Sequence, residues 1–137
     1  MPLDLSELVS ELNCIASDIS MDKGAVLFHS GDPASGVFIV RKGEVRLSLG
    51  IPSDLYPPRV LGPGEMAGLP ATLTGHYSLT AVVAAPEAEL GFVPSDRVSE
   101  LLECSPRLCF LAMRFISEEI ARVRTALKET PPLSHPS

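Results

Sequence analysis

The sequence of 137 residues has no Cys-x-x-Cys pair, no His-x-His pair and no apolar run approaching the length of a membrane span. Cys14, Cys104 and Cys109 form no metal-binding spacing, which argues against a zinc site. All three fall in apolar helical patterns and read as reduced, core-packed thiols of a cytoplasmic protein. The three histidines, His29, His76 and His135, are too dispersed for a clustered-histidine metal centre. No cofactor and no metal are expected. No basic start followed by an apolar stretch marks a signal peptide, and no membrane association is expected. Basic residues are also scarce: 11 Lys and Arg face 17 Asp and Glu, a formal net charge of -6. A nucleic-acid grip requires a basic face. Arg114, Arg122, Arg124 and Lys128 lie near the C-terminus, but Glu118, Glu119 and Glu129 lie among them. Direct nucleic-acid binding is therefore not expected.

What is present suits one domain with one core: 45% of residues are hydrophobic and 20% charged. Thirteen prolines and ten glycines fall mostly between short apolar runs, which points to β-structure rich in turns. The segment 4–16 has Leu5, Leu8, Val9, Leu12, Ile15 and Ala16 on one helical face, with Asp4 and Glu7 as a capping-box-like start. From about residue 24 the period shortens. GAVLF, GVFIV, EVRLSL, RVL, SLTAVVA and AELGFV read as strands. In EVRLSL, Val45, Leu47 and Leu49 face one way and Arg46 and Ser48 the other.

Gly64–Leu73 is too turn-rich for a strand and reads as a loop with one helical turn. Pro94-Ser95 opens a short helix over 95–104. Ser105-Pro106 starts a longer one over 106–128, stopped by Thr130-Pro131-Pro132. The expected architecture is mainly β with flanking α. A jelly-roll barrel over 24–93 is framed by an N-terminal helix and by short and long C-terminal helices, one domain over 1–129 with a disordered tail at 130–137.

The stretches GAVLFHSGDPASGVFIVRKGEVRLSL (24–49), LGPGEMAG (61–68) and SLTAVVAAPEAELGFV (78–93), in this order and followed by two helices, resemble the cyclic-nucleotide-binding domains of bacterial catabolite-activator-type regulators and of kinase regulatory subunits. The likeness covers about residues 5–128. It implies a ligand cassette that reads Gly-Glu, a helical turn, then Arg-Ser/Thr-Ala. In such a cassette the Glu accepts from the ribose 2′-hydroxyl, and the Arg pairs with the cyclic phosphate beside exposed turn amides.

Carried over residue by residue, the Gly position is Gly68, the Glu position Leu69, the Arg position Leu79, and Ser/Thr-Ala is Thr80-Ala81. Both charged contacts are gone, and Pro70, before Ala71, removes one turn donor. No arginine lies between Arg59 and Arg97, so no frame restores the phosphate partner within the cassette. Losing such a buried partner costs about 3–5 kcal/mol, roughly two to four decades in affinity. The candidate pocket is therefore Gly68, Leu69, Pro70, Ala71, Leu79, Thr80 and Ala81, degenerate for cyclic AMP and cyclic GMP. Leu69 and Leu79 either line a pocket for another ligand or, the favoured reading, collapse into the barrel.

On the long helix, Cys109, Met113, Ile116, Ile120, Val123 and Leu127 repeat at coiled-coil spacing, while Leu108, Leu111, Ala112 and Phe115 form a second stripe. One barrel is not expected to cover both, so the first stripe reads as a homodimer seam, as the resemblance also implies. Glu65 reads as a solvated turn carboxylate, His29 as a surface or half-buried histidine with no carboxylate partner, and His76-Tyr77 as an exposed loop without a role. The function expected is a non-catalytic regulatory or sensor domain, dimeric, without tight binding of cyclic AMP or cyclic GMP. Its partner is an unknown small ligand or protein. The alternative is the effector domain of a Crp/Fnr-type regulator that takes a cyclic nucleotide or another ligand in a non-standard way. The residues after the long helix are too few for the helix-turn-helix domain of that family.

Overall fold

Strand β3 (Gly36–Lys42) is buried along its first five residues, as a continuous apolar run requires when both faces of a strand are covered. A computed structural model of the protein, describing residues 5–48 and 58–129, shows what covers them. Two four-stranded antiparallel sheets face each other. The first has the order β1 (Ser17–Asp22), β8 (Glu87–Pro94), β3, β6 (Met66–Ala67). The second has the order β2 (Val26–Phe28), β7 (Thr80–Val83), β4 (Val45–Ser48), β5 (Arg59–Leu61). Helices α1 (Leu5–Cys14), α3 (Ser95–Cys104) and α4 (Pro106–Glu129) accompany them, and α2 (Ala71–Thr74) is a single turn. This is the mainly β architecture with flanking helices that the patterning predicts.

Strand alternation divides the core in two. Phe38 and Val40 of β3 join Val45, Leu47, Ala81, Val83 and Leu90 between the sheets. Val37 and Ile39 turn the other way and meet Leu8 and Leu12 of α1, Val98 of α3, and Leu108, Leu111, Ala112 and Ile116 of α4. The register Val37↔Val93 and Phe38↔Phe92 continues both layers across β8.

Three readings from sequence are corrected here. The sheet begins at Ser17, not near residue 24: β1 pairs with β8 along its whole length, Ser17↔Phe92 to Asp22↔Glu87. Its polar residues occupy the exposed side of an edge strand, leaving only Ile19 and Met21 as an apolar signal. The cysteines are not core-packed: Cys14 and Cys104 are exposed and Cys109 is half-buried. His29 does have a carboxylate neighbour. Its Nδ1 lies 3.7 Å from Asp32 Oδ2, and its backbone N–H donates to the same oxygen at 2.9 Å. The tail expected at 130–137 and the cap expected at Asp4 lie outside the described residues.

Tyr77 is a fourth correction. It is buried, and its ring stacks on Phe28 with centroids 3.7 Å apart. Its hydroxyl accepts from the N–H groups of Ser35 (3.1 Å) and Gly36 (3.0 Å) and donates to the Gly36 carbonyl at 2.7 Å. The loop after α2 is thereby tied to the start of β3. Tyr77→Phe leaves two backbone N–H groups and one carbonyl without this partner, and is expected to lower stability by about 1–3 kcal/mol in urea unfolding; an unchanged midpoint contradicts the role.

Candidate functional site

Between the sheets and α4 lies a cavity of about 440 Å³, within the range of small-molecule sites. Phe28, Leu47, Leu79, Phe115 and Ile120 supply apolar walls, and Met66 and Ala67 add to them. The polar side chains are Arg59, Ser78, Glu119 and Arg124, with the Tyr77 hydroxyl turned to β3.

The cassette residues do not all reach this cavity. Gly68, Pro70, Ala71 and Leu79 line it. Leu69 does not: it is fully buried in the outer layer, with α1, α3 and α4. Ala81 is fully buried between the sheets. Thr80 is half-buried, and its Oγ1 accepts the Ser30 N–H at 3.0 Å. The favoured expectation that Leu69 and Leu79 collapse together is corrected: Leu69 packs outward, Leu79 lines the wall, and the chamber between the sheets and α4 stays open.

The helical turn is closed on itself. The N–H groups of Ala71, Thr72 and Leu73 donate to the carbonyls of Gly68, Leu69 and Pro70 at 3.1 Å each, and Thr74 N–H donates to Pro70 O at 3.2 Å. Pro70 has no N–H to offer. Amides that would receive an anion at a helix N-terminus are therefore engaged within the turn. Glu65 holds the preceding turn, its Oε1 accepting the Gly62 N–H at 3.0 Å from an exposed position.

One cation enters from outside the cassette. Along β5, Arg59 and Leu61 share a face while Val60 points to solvent, and Arg59 pairs in register with Leu47, another cavity residue. Arg59 Nη1 donates to Glu119 Oε1 at 2.7 Å; the Glu119 side chain is only 9% exposed and that of Arg59 32%. The pair lies outside the cassette, between residues 60 positions apart in the sequence, and the sequence analysis does not join them. The signal was there: an arginine two residues before the core leucine Leu61, and a glutamate on the Phe115–Ile116–Ile120 side of a helix.

The helix stripes also divide differently from the expectation. Ile116 is buried in its own chain and Ile120 lines the cavity, so one barrel covers part of both stripes. Met113 and Phe110 are exposed and Cys109 is half-buried; the side chains of Val123 and Leu127 lie outside the described residues.

Residues 18–104 match the cyclic nucleotide-binding domain family over more than half of the chain. The chain belongs to this family. The transcriptional activator protein anr of Pseudomonas aeruginosa is 34% identical over 103 residues, 73% of this chain and 41% of that protein. The chain thus spans less than half the length of that relative. Among solved structures, the catabolite activator protein of Thermus thermophilus superposes with a TM-score of 0.68 at 23% identity, over 89% of this chain and 58% of the other. The cGMP-bound EAL enzyme Bd1971 superposes with a TM-score of 0.62 at 25% identity, over 82% of this chain and 30% of that one. This cyclic nucleotide-binding domain is of the Crp/Fnr type, and no described helix is long and apolar enough to cross a membrane.

Gly68 tests how tightly the cassette is built. It has φ +96°, and a Cβ there would meet Gly36 O at 2.9 Å and Tyr77 Cε1 at 3.0 Å; Gly64, with φ +89°, has open space around that position. Gly64→Ala is expected to cost about 1–2 kcal/mol from the backbone alone, and Gly68→Ala at least ~1 kcal/mol more from the added contacts. Equal losses in paired denaturant titrations would remove the packing argument.

Proposed function

We propose that this domain is a non-catalytic regulatory module whose cavity does not hold cyclic AMP or cyclic GMP tightly. The observation that carries the reading is Leu79, which lines the cavity at the position where the family resemblance places the phosphate-binding arginine. The turn amides engaged within α2 and the Thr80 hydroxyl engaged with Ser30 support it. Arg59 does not replace the lost arginine, because Glu119 already sits on it at 2.7 Å and would face the incoming phosphate as a like charge. Without its cation the buried phosphate keeps a desolvation cost that an apolar wall does not offset.

A ligand with Kd above about 1 mM, supplied at ~1 mM, stabilises by less than ~0.4 kcal/mol, a rise in Tm below about 2 °C for a domain of this size. That is the shift expected with cyclic AMP and with cyclic GMP; a rise of ~5 °C or more overturns the reading. Leu79→Arg returns the cation to the cassette and is expected to increase the cyclic AMP shift above that of the unmodified protein.

The module is further proposed to pair through α4, with Phe110 and Met113 at the contact. These are large apolar side chains, 59% and 44% exposed, separated by one helical turn, and Cys109 lies beside them. Met113→Glu together with Phe110→Glu is expected to halve the sedimenting mass; an unchanged mass removes the α4 contact.

A further inference from the structure

We propose that the cavity takes an uncharged, largely hydrocarbon small molecule. The proposal rests on the preceding reading that cyclic nucleotides are not the tight ligands of this site. It starts from side chains that the fold leaves half-covered. Leu79, Phe115 and Ile120 line the chamber and are each only half-buried. Phe28, Leu47 and Met66 line it too and are buried. An apolar body set among these six side chains takes their remaining surface out of water and gains in proportion to the area covered.

Two separate sets of contacts hold the chamber open. Its helix wall is fixed by the outer layer, where Leu108, Leu111, Ala112 and Ile116 of α4 pack with Val37 and Ile39 of β3. Its cassette wall is fixed by Tyr77, whose hydroxyl is bonded to Gly36 of the same strand. Leu79 follows Tyr77 by two residues, so closing it onto Phe115 and Ile120 would pull against both attachments. Water against such walls finds few hydrogen-bond partners, and an apolar guest releases it.

The polar groups set the charge of the guest at zero. Arg59 and Glu119 hold each other at 2.7 Å, and neither is a free group. An anion of any kind, carboxylate or phosphate, would meet Glu119 as a like charge, and a cation would meet Arg59. Ser78 and Arg124 are exposed, so water solvates them and the guest need not.

Hydrogen bonding excludes polar guests as well. The N–H groups of Ala71, Thr72 and Leu73 are engaged within the turn, and the Tyr77 hydroxyl is engaged at β3. A sugar or a base edge placed here would lose its water without gaining these partners. A hydrocarbon body has no such bonds to lose.

The test is fluorescence titration of the full chain with N-phenyl-1-naphthylamine and with 8-anilinonaphthalene-1-sulfonate. The two dyes share a hydrocarbon body. Only the second is charged, and its sulfonate is fixed to the rings, so they cannot enter without it. The uncharged dye is expected to bind with a Kd of about 10 μM or lower, at least about tenfold more tightly than the sulfonate. Leu79→Trp and Ile120→Trp, which put an indole into the chamber, are each expected to weaken the uncharged dye at least about tenfold. Val60→Trp, at an exposed position outside the cavity lining, is expected to leave its Kd unchanged.

A sulfonate that binds as well as the uncharged dye, or better, overturns the proposal. So does an unchanged affinity in the two chamber variants, or a loss with Val60→Trp as large as theirs. If Leu79→Trp does not fold, Ile120→Trp and the ratio of the two dyes decide the matter. Failure of the uncharged dye to bind overturns the apolar guest and leaves the cyclic nucleotide reading standing. A large rise in Tm with cyclic AMP overturns that reading whatever the dyes do.

Discussion

Burial of β3 on both faces is the constraint from which the rest of the molecule follows. Phe38 and Val40 build the layer between the sheets, and Val37 and Ile39 build the layer under the helices. One strand therefore holds two cores together, and a slip of one residue would exchange them. The Tyr77 hydroxyl secures its first residue, Gly36, and so places the turn that follows Gly68 against the same strand. The cassette is positioned by packing, independently of what it can bind.

The electrostatics of the cavity differ from those of a phosphate site in where the cation comes from. A cassette arginine would sit at Leu79, on the segment that leads into β7. Here the cation comes from β5, and a glutamate of α4 accompanies it. Two charges that would each be costly to bury alone satisfy one another, and the surrounding wall is apolar. The contact joins β5 to the long helix.

Much of this was legible in the sequence. Alternation in Val45, Leu47 and their neighbours, the turn residues between runs, and Ser105-Pro106 at a helix start specify elements because local geometry alone determines them. The proposed cassette, with Leu69 and Leu79 at the positions of the charged contacts, rests on the family resemblance over residues 68–81. What was not legible depended on tertiary packing. β1 has only Ile19 and Met21 to announce it, since an edge strand leaves its polar side in water. Leu69 was expected in the pocket, but the positive φ at Gly68 accompanies a course of the chain that puts the next side chain in the outer layer. Tyr77 reads as a loop residue because its partners, Ser35 and Gly36, are 42 and 41 positions away. The same holds for Arg59 and Glu119, 60 positions apart.

The central claim is that the cassette offers a cyclic phosphate no cation, with Leu79 in the cavity wall and Glu119 on Arg59. Its most direct test is the electron density of crystals grown with cyclic AMP at several millimolar. The account predicts a chamber without the nucleotide and an intact contact between Arg59 and Glu119. Density for the whole nucleotide, with its phosphate seated between Gly68 and Leu79, would contradict it.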